Sequence, residues 1–498
     1  MDLLSVAIVI LAASSLGIPL FQLLDDKNSK IPAYILIATL TASLLLTGTN
    51  TIWPTTEASF GGLLGSDALG GFFALVTLGM TLMVVVASIS YIRSANSPIY
   101  YGLLSFTALG MLLLSYSQDL LMLFVSWELM SLPTYALAGY DKKRAQSNEA
   151  SVKYAIIGAM SSAIILYAIS LTYGLTGTTQ IIPAVRALAS QPFNPLVSVA
   201  VILFVAGFGF KMAIVPFHMW IPDVYEGAPT TVSTLFAAAT KNAGFAAAIR
   251  VILAFATVYV LTQNPLFTLA NVMAVLAVLT MTLGNVAALT QKSMMRLLAY
   301  SSIAQAGYIL VGFVAYAYNP LSSTATIGMT GALFHILNNA IMKGVAFLAA
   351  ALVLLELKRG DLQAYNGLGK RMPITAFTIT IAFLALAGVP PLSGFWSKLL
   401  LFLSVINGPF AWLAVAGILN SAFSLGYYGW VIKRLYMDEP ESAEKASEPL
   451  AFVIVFAVAV GLIIGLGLFP QVVTNFAPSA VKNIFPGLAT VRSVACLA

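Results

Sequence analysis

The sequence predicts an all-α polytopic membrane protein with about 14 transmembrane helices. Of its 498 residues, 60% are hydrophobic and only 8% are charged, whereas about 25% of the residues are charged in a typical soluble domain. Apolar stretches of roughly 18 to 25 residues, the length that crosses a bilayer as a helix, also recur along the whole chain. The connections between these stretches are too short to form a soluble domain.

The predicted spans follow one another closely. We place them near residues 3–24, 32–48, 68–91, 100–117, 119–139, 152–175, 196–219, 229–258, 266–290, 295–317, 325–355, 374–406, 411–435 and 449–470. The first span has no basic segment before it and no convincing small-residue cleavage site, so we expect it to be retained as a helix. Residues 180–195, which contain Pro183, Pro192 and Pro195, are predicted to form an external loop. Residues 438–448 are predicted to form a solvated, charged cytoplasmic loop.

Basic residues predict the orientation of the chain. With the N-terminus outside, the inner loops hold 16 of the 24 Lys and Arg residues and the outer loops hold three. This positive-inside bias predicts that both termini lie on the non-cytoplasmic side. The other five basic residues lie inside predicted spans and are Lys211, Lys241, Arg250, Lys343 and Lys398.

Several function classes are excluded by composition and motifs. The net charge is +6, but the basic residues are scattered over short loops, so no nucleic-acid partner is predicted. A single cysteine, Cys496, rules out a disulfide framework and a thiolate set for zinc or an iron–sulfur cluster. Phosphate-binding and dinucleotide-binding glycine motifs do not occur in the sequence. Redox cofactors are therefore expected in partner subunits.

Charged residues inside the predicted spans indicate an ion pathway. Lys211 precedes Pro216, which should break the seventh span. Lys241 lies about 18 Å along its span from the first residue, which places it near the middle of the membrane. Glu128 lies at a similar depth in the fifth span, where an ionisable group is a functional hypothesis by default. The alternatives are a structural Glu–Lys ion pair for Glu128 and snorkelling of the lysines to an interface.

The twelfth span carries a second break with a lysine beside it. Pro390 and Pro391 interrupt this span close to Lys398, as Pro216 does beside Lys211. Paired breaks at corresponding positions mark transport sites built from internal repeats. Because the breaks are five spans apart, the pattern suggests two inverted five-helix repeats. We accordingly divide the chain into four segments. Residues 1–99 form an N-terminal three-helix segment, residues 100–262 and 263–436 form the two five-helix repeats, and residues 437–498 contain the cytoplasmic loop, the last span and the C-terminal tail.

Two histidines are further candidates. His335 and Lys343 are eight residues apart, about two helical turns, and share one face of the eleventh span. His218 follows the break in the seventh span. Each histidine has an alternative interpretation as a hydrogen-bonded structural residue. We treat His335, Lys343 and His218 as possible relay residues.

Several stretches resemble one protein family. They are SWELMSLPTYALAGY (126–140), EASVKYAIIGAMSSAIILYAISLTYGLTGTT (149–179), KMAIVPFHMWIPDVYEGAPTTVSTLFAAATKNAGFAAAIR (211–250), GNVAALTQKSMMRLLAYSSIAQAGYIL (284–310) and AGVPPLSGFWSKLLLF (387–402). They resemble the proton-translocating, antiporter-like subunits of respiratory complex I, most closely the N-type subunit (subunit 2). The resemblance implies 14 core helices, with spans 4–8 and 9–13 as inverted repeats. It also implies that Glu128, Lys211, Lys241 and Lys398 handle protons. The segment FHILNNAIMKGVAFL (334–348) instead resembles the sister subunits or archaeal relatives.

The functional prediction is therefore a proton-translocating subunit of a complex I-type oxidoreductase. Quinone, flavin and iron–sulfur clusters are expected in partner subunits, which include sister antiporter-like subunits. The expected location is the prokaryotic cell membrane or the thylakoid. The donor (NADH, ferredoxin or F420H2) and the acceptor (quinone or methanophenazine) stay open. The alternatives are an Mrp-type cation/proton antiporter subunit, a membrane subunit of an energy-converting hydrogenase, and a structural scaffold.

Overall fold

The structure is a computed structural model that describes residues 2–23, 30–52, 58–92, 97–190, 194–261, 269–440, 442 and 444–484. The side chains of residues 58–59 and 258–261 are not described. Lys27, Arg93 and Arg492, which contributed to the predicted orientation, and Cys496 lie outside the described residues.

The first three spans are the helices Leu3–Leu20, Ile31–Ile52 and Ala68–Tyr91. Aspartates cap two of them, because the Asp2 carboxylate accepts from the Ser5 amide at 2.9 Å and the Asp67 carboxylate accepts from the Gly70 amide at 2.6 Å. In the described ranges, strand structure is confined to a two-residue pair, Ala58–Ser59 with Leu64–Gly65, between spans 2 and 3.

Spans 4 to 8 follow. Span 4 is Ser97–Tyr116, span 5 is Leu120–Ala138 and span 6 is Ala145–Thr176. Span 7 is broken into Pro195–Met212 and Ile221–Gly227. Span 8 runs from Thr230 to Leu261 through five consecutive helical segments.

Spans 9 to 14 complete the membrane domain. They are Leu269–Leu289, Met294–Tyr318, Ser323–Leu357, the two halves Pro373–Ala387 and Ser393–Leu403 of span 12, Ala411–Tyr436 and Leu450–Leu468. Short helices Leu362–Tyr365 and Leu368–Arg371 connect spans 11 and 12, and the helix Gln471–Lys482 follows span 14. Within the described ranges, 13 helices are long and apolar enough to cross a membrane, and the split span 12 adds one more. The predicted all-α polytopic membrane fold is confirmed.

Spans 7 and 12 are interrupted where the sequence places its prolines. Span 7 ends its first half at Met212, and Ala213 adopts a left-handed conformation with φ of 69°. The first half of span 12 ends at Ala387 and is capped by Gly388, whose φ of 90° is readily adopted only by glycine. The Val215–Pro216 and Pro390–Pro391 peptide bonds are cis. The assignment of these spans to two inverted repeats stays a prediction.

Span 8 is enclosed by the rest of the protein. Every residue from Thr230 to Thr257 is buried, and the helix widens into π-helical turns at Phe236–Thr240 and Ile249–Leu253. Such turns, which hydrogen-bond to the fifth residue along the chain, occur frequently at functional sites. Lys241 lies directly after the first π-helical turn. The predicted depth of Lys241 thus coincides with an irregular, fully enclosed part of the helix.

The structure differs from the prediction in three places. The predicted loop at residues 180–195 contains the helix Ile181–Ala189, because Ile181, Val185 and Leu188 form an apolar face that is buried. Span 6 begins at Ala145 rather than near residue 152, since its first two turns are polar and a hydrophobic window misses them. The amphipathic helix Gln471–Lys482 was not predicted, because it is too polar to be recognised as a span.

The charged loop at residues 438–448 has no helix or strand among its described residues, as predicted, but it packs against the start of span 12. The Glu448 carboxylate accepts from the Thr375 amide at 2.7 Å and from the Thr375 hydroxyl at 2.6 Å. The Ala446 amide donates to the Arg371 carbonyl at 3.2 Å. Glu448 therefore satisfies a free donor at the N-terminus of this helix, which a purely solvated loop would not do.

Candidate functional site

Four lysines lie buried within the spans. Lys211, Lys241, Lys343 and Lys398 are respectively 2%, 1%, 0% and 4% exposed. The alternative in which these lysines snorkel to an interface does not fit such complete burial.

Lys211 occupies the last turn of the first half of span 7. Its ammonium donates to the Tyr154 hydroxyl at 2.8 Å and to the Ser131 hydroxyl at 3.2 Å. The Tyr154 ring centroid is 5.0 Å from the same nitrogen. A Cβ built on Gly244 would lie 3.0 Å from the Lys211 Cβ, so span 8 packs tightly against the lysine stem. Lys211 is thus enclosed by spans 5, 6 and 8.

Glu128 does not contact Lys211 directly. The carboxylate accepts a short hydrogen bond from the Ser162 hydroxyl of span 6, and among the described residues it forms no ion pair. Glu128 lies on a partly exposed face of span 5. The residue of span 5 that contacts the Lys211 ammonium is Ser131, almost one helical turn further on. The alternative of a structural Glu–Lys ion pair therefore does not describe Glu128 within the described residues, since Glu128 and Lys211 each bind separate neutral partners.

Lys241 is held by span 10. Its ammonium donates to the carbonyl oxygen of Ser302 and, at 3.0 Å, to the hydroxyl of the same residue. Both acceptors are neutral. Within the described residues, Lys241 has no carboxylate partner, so it is not part of a structural ion pair there.

Lys343 of span 11 is bound by the same region of span 10. Its ammonium donates to the Ser301 hydroxyl in a short hydrogen bond and to the Leu298 carbonyl at 3.3 Å. The Tyr428 hydroxyl of span 13 accepts at 3.4 Å, and it also shares a short hydrogen bond with Ser301. Adjacent serines of span 10 therefore hold Lys241 and Lys343.

Lys398 binds the break in span 12. Its ammonium donates to the carbonyls of Leu386 and Ala387, at 2.8 and 3.2 Å, and to the Ser421 hydroxyl at 3.0 Å. Breaking the helix frees these carbonyls, which in a membrane need polar partners. The Tyr308 ring centroid lies 4.5 Å from the same nitrogen. Lys398 thus both stabilises the break and is positioned by it.

The two histidines differ in their surroundings. His335 is fully buried, and its ring nitrogens lie 2.9 Å from the Ser397 hydroxyl and 2.9 Å from the Gln305 side-chain oxygen. His335 thereby connects span 10 with the second half of span 12, beside Lys398. His218 lies in the turn after Pro216, and its buried Nδ1 has no partner within the described part of the chain. Of the two histidines, only His335 lies beside one of the buried lysines, through its contact with Ser397 next to Lys398.

Span 10 supplies polar groups that sequence reasoning missed. Ser301, Ser302, Gln305 and Tyr308 all contact the lysines or His335. They occur in SSIAQAGY (301–308), where polar residues recur at helical spacing within an apolar span. That spacing could have indicated a polar face on span 10. The signal is weak, because single serine and glutamine residues occur in many buried helices.

Arg250 forms a different kind of buried contact. The Arg250 guanidinium and the Asp67 carboxylate form two parallel hydrogen bonds of 2.9 and 2.8 Å, and the two side chains are 4% and 12% exposed. Arg250 also donates to the Ser115 carbonyl at 3.0 Å, and Gln118 donates to the carboxylate at 2.8 Å. This arrangement is a structural ion pair with its hydrogen-bonding groups satisfied.

A second charged cluster lies beyond the spanning segment Pro195–Met212, on the short helix Ile221–Gly227 that follows the break in span 7. The Asp223 carboxylate accepts from Lys153 at 2.8 Å and from Arg296 at 2.9 Å. Burial alone would raise the pKa of Asp223, but the hydrogen bonds from these two cations outweigh burial and lower it. The cluster joins spans 6 and 10 to the second half of span 7. Among the described residues, no group of His, Cys, Asp and Glu could hold a metal ion.

Comparisons with known proteins agree with this architecture. The family described as NADH:quinone oxidoreductase/Mrp antiporter, transmembrane, matches residues 117–424. The F(420)H(2) dehydrogenase subunit N of Methanosarcina mazei is 42% identical over 438 residues, covering 86% of each chain. The NADH-quinone oxidoreductase subunit N of Desulfitobacterium hafniense is 37% identical and covers 85% of this chain and 86% of its own.

Among solved structures, a chain of respiratory complex I from Thermus thermophilus with bound aureothin is similar. Its TM-score is 0.79 at 31% identity, with 95% of this chain and 99% of that chain covered. The family match spans more than half of the chain and includes Glu128, Lys211, Lys241, Lys343 and Lys398. The chain therefore belongs to the NADH:quinone oxidoreductase/Mrp antiporter transmembrane family.

Proposed function

We propose that this chain is a proton-translocating membrane subunit of a complex I-type oxidoreductase, in which buried Lys and Glu side chains carry protons. Its relatives are named as subunits of dehydrogenase and quinone oxidoreductase complexes, which supports a role as one subunit of such an enzyme. Electron transfer to a quinone-like acceptor would take place in partner subunits that hold the flavin and iron–sulfur clusters. Sister antiporter-like subunits are the proposed neighbours in the membrane.

One contrast within the chain carries this proposal. The buried Arg250 is neutralised by a carboxylate, as expected of a structural cation. The four buried lysines instead donate only to hydroxyl groups and backbone carbonyls within the described residues. Burying a charge among neutral partners in a low-dielectric interior costs free energy. The protonated and neutral forms of such a lysine therefore become close in free energy. Side chains in this condition can bind and release protons.

The partners of the lysines suit proton transfer. Serine and tyrosine hydroxyls both donate and accept hydrogen bonds, so they can solvate an ammonium and then, after rotation, a neutral amine. Tyr154 has this role at Lys211, and Ser301 and Ser302 have it at Lys343 and Lys241. We propose that protons pass along spans 7, 8, 11 and 12 by such exchanges, with span 10 as the shared polar support.

Glu128 is proposed to modulate Lys211. Its ionised carboxylate favours a nearby positive charge, even without direct contact. The Ser162 hydroxyl supplies one hydrogen bond to that carboxylate, and the half-exposed face of Glu128 gives it access to groups outside this chain. A change in the charge or position of Glu128 would then shift Lys211 between its protonated and neutral forms.

Direct replacement of these residues tests the proposal. In the intact complex, reconstituted into sealed vesicles, we expect Lys211→Met to assemble but to lower proton pumping strongly. Glu128→Gln should also lower pumping, whereas Glu128→Asp should keep part of it, because a carboxylate remains. If Lys211→Met and Glu128→Gln both assembled and pumped normally, the relay assignment would be wrong.

A mass-spectrometric inventory of co-purifying subunits separates the proposal from its alternatives. Flavin and iron–sulfur subunits for oxidation of NADH, ferredoxin or F420H2 would support the dehydrogenase. Antiporter subunits alone would support an Mrp-type cation/proton antiporter, and hydrogenase subunits would support an energy-converting hydrogenase.

A further inference from the structure

Asn339 of span 11 carries a side-chain amide that is buried within the described residues. The residue is 0% exposed, and both its side-chain oxygen and its side-chain nitrogen have no partner among the described residues. An unsatisfied amide in an apolar interior costs free energy, and buried amides in proteins are nearly always hydrogen-bonded to protein or to ordered water. Asn339 is therefore suited to bind a small polar molecule inside the protein.

The position of Asn339 along its helix relates it to two proposed relay residues. Lys343 is four residues after Asn339 and His335 is four residues before it. Side chains four residues apart lie on the same face of a helix, one above the other. Asn339 is thus placed midway between two groups of the candidate site.

Contacts with span 10 fix the level of Asn339 more closely. Lys343 is bonded to Leu298 and Ser301, whereas His335 is bonded to Gln305. Spans 10 and 11 therefore run antiparallel. Asn339, midway between Lys343 and His335, lies at the level of Ser301 and the residue that follows it.

The same level contains the lysine of span 8. Lys241 is bound by Ser302, which directly follows the serine that binds Lys343. Spans 8 and 11 also touch next to Lys343, because a Cβ on Gly344 would lie 3.3 Å from the Cβ of Ala238, three residues before Lys241. In span 8, the side-chain oxygen of Asn242 is likewise buried and without a partner in the described part of the chain. The amide nitrogen of Asn242 donates to the Ala238 carbonyl at 2.7 Å, so only its oxygen is free among the described residues, whereas both polar atoms of Asn339 are.

We propose that Asn339 is a positioning residue that binds a water molecule between Lys241 and Lys343, and that this water passes protons between the two lysines. The inference rests on the proposed function. A carboxamide can donate one hydrogen bond to a water and accept another from it, which orients the water. In the transfer, one N–H bond of the donor ammonium breaks as the water oxygen gains that proton. The water gives one of its own protons to the acceptor amine, so that it is unchanged overall.

Substitution of Asn339 tests this role in the intact complex. Asn339→Leu keeps the approximate volume but cannot hydrogen-bond, and we expect proton pumping to fall by about tenfold, the effect of losing a well-placed hydrogen bond in the transfer step. Asn339→Ser retains a hydroxyl and leaves room for water, so it should keep most of the pumping. Ser43→Ala is the control, because the Ser43 hydroxyl is also buried and unpartnered among the described residues, but it lies in span 2.

A high-resolution map of the complex supplies the second readout. We expect density for a water within hydrogen-bonding distance of Asn339 in the wild type and in Asn339→Ser, and none there in Asn339→Leu. Normal pumping by Asn339→Leu, or a wild-type map without such density, would overturn the inference while leaving the lysine relay in place. If Asn339→Leu failed to assemble, the wild-type map and the Ser variant would decide. Loss of pumping in Ser43→Ala would also count against the role of Asn339. A wild-type complex that pumped no protons would instead refute the proposed function.

Discussion

The hydroxyl of Tyr154 offers a sharp test of the site around Lys211. It accepts a 2.8 Å hydrogen bond from the buried ammonium, so Tyr154→Phe removes this bond and changes almost no volume. A hydrogen bond to a charged group contributes about 1.5–3 kcal/mol. Since about 1.4 kcal/mol corresponds to a tenfold change in rate, we expect the proton transfer through Lys211 to slow by about 10- to 100-fold.

Tyr135 provides a matched control for this substitution. Its ring centroid is 6.0 Å from the Lys211 nitrogen, and it packs edge-on against Tyr154. Its hydroxyl, however, has no hydrogen-bond partner within the described residues. Tyr135→Phe therefore removes the same chemical group from the same aromatic cluster without removing a bond to the lysine, and it should leave proton transfer close to normal.

The assay is proton uptake by the complex in sealed vesicles, with electron transfer measured in parallel. Tyr154→Phe should lower pumping far more than Tyr135→Phe, while both complexes retain their full set of subunits. Equal effects of the two substitutions, or normal pumping by Tyr154→Phe, would refute the reasoning about Lys211.

Three further predictions follow from other parts of the structure. Arg250→Leu leaves the Asp67 carboxylate buried without its cationic partner and should destabilise the protein by about 3–5 kcal/mol in thermal or denaturant unfolding, with partial recovery when Asp67→Leu is added. Gly394→Ala should disturb span 12 and lower pumping, because a Cβ there would overlap the Ala385 carbonyl oxygen in the last turn of the first half of the span, whereas Gly426→Ala, with open space around it, should not. Because the pKa of Asp223 is lowered in the folded protein, its ion pairs should stabilise the protein above about pH 4, the ordinary aspartate value, and this stabilisation should be lost as the pH falls through the lowered pKa. Unfolding measured across acid pH should show this dependence in the wild type and much less of it in Asp223→Asn.

Hydropathy and proline positions predicted most of the fold. Membrane-spanning helices must satisfy their backbone within each segment, so apolar stretches map directly onto them. The breaks beside Lys211 and Lys398 were predictable because proline cannot continue a regular helix. The helix Ile181–Ala189 and the start of span 6 were not, since short or polar helical turns depend on contacts with other spans.

The candidate site was predictable in its charges and less so in its contacts. Buried lysines stand out in an apolar sequence, and the structure places them where the spans are irregular or enclosed. The separation of Glu128 from Lys211 depends on how spans 5 and 7 are rotated, which a single sequence does not reveal. The π-helical turn before Lys241 and the polar face of span 10 likewise arise from packing between helices.

The number of protons translocated per electron transferred is the most direct measure of the central claim. It should be determined for the wild-type complex and for Lys241→Met in the same sealed vesicles, because Lys241 lies in the most deeply buried span and binds only neutral partners within the described chain. We predict a fully assembled Lys241→Met complex with a clearly lower ratio. An unchanged ratio in that complex would contradict the claim that buried lysines of this chain carry the protons.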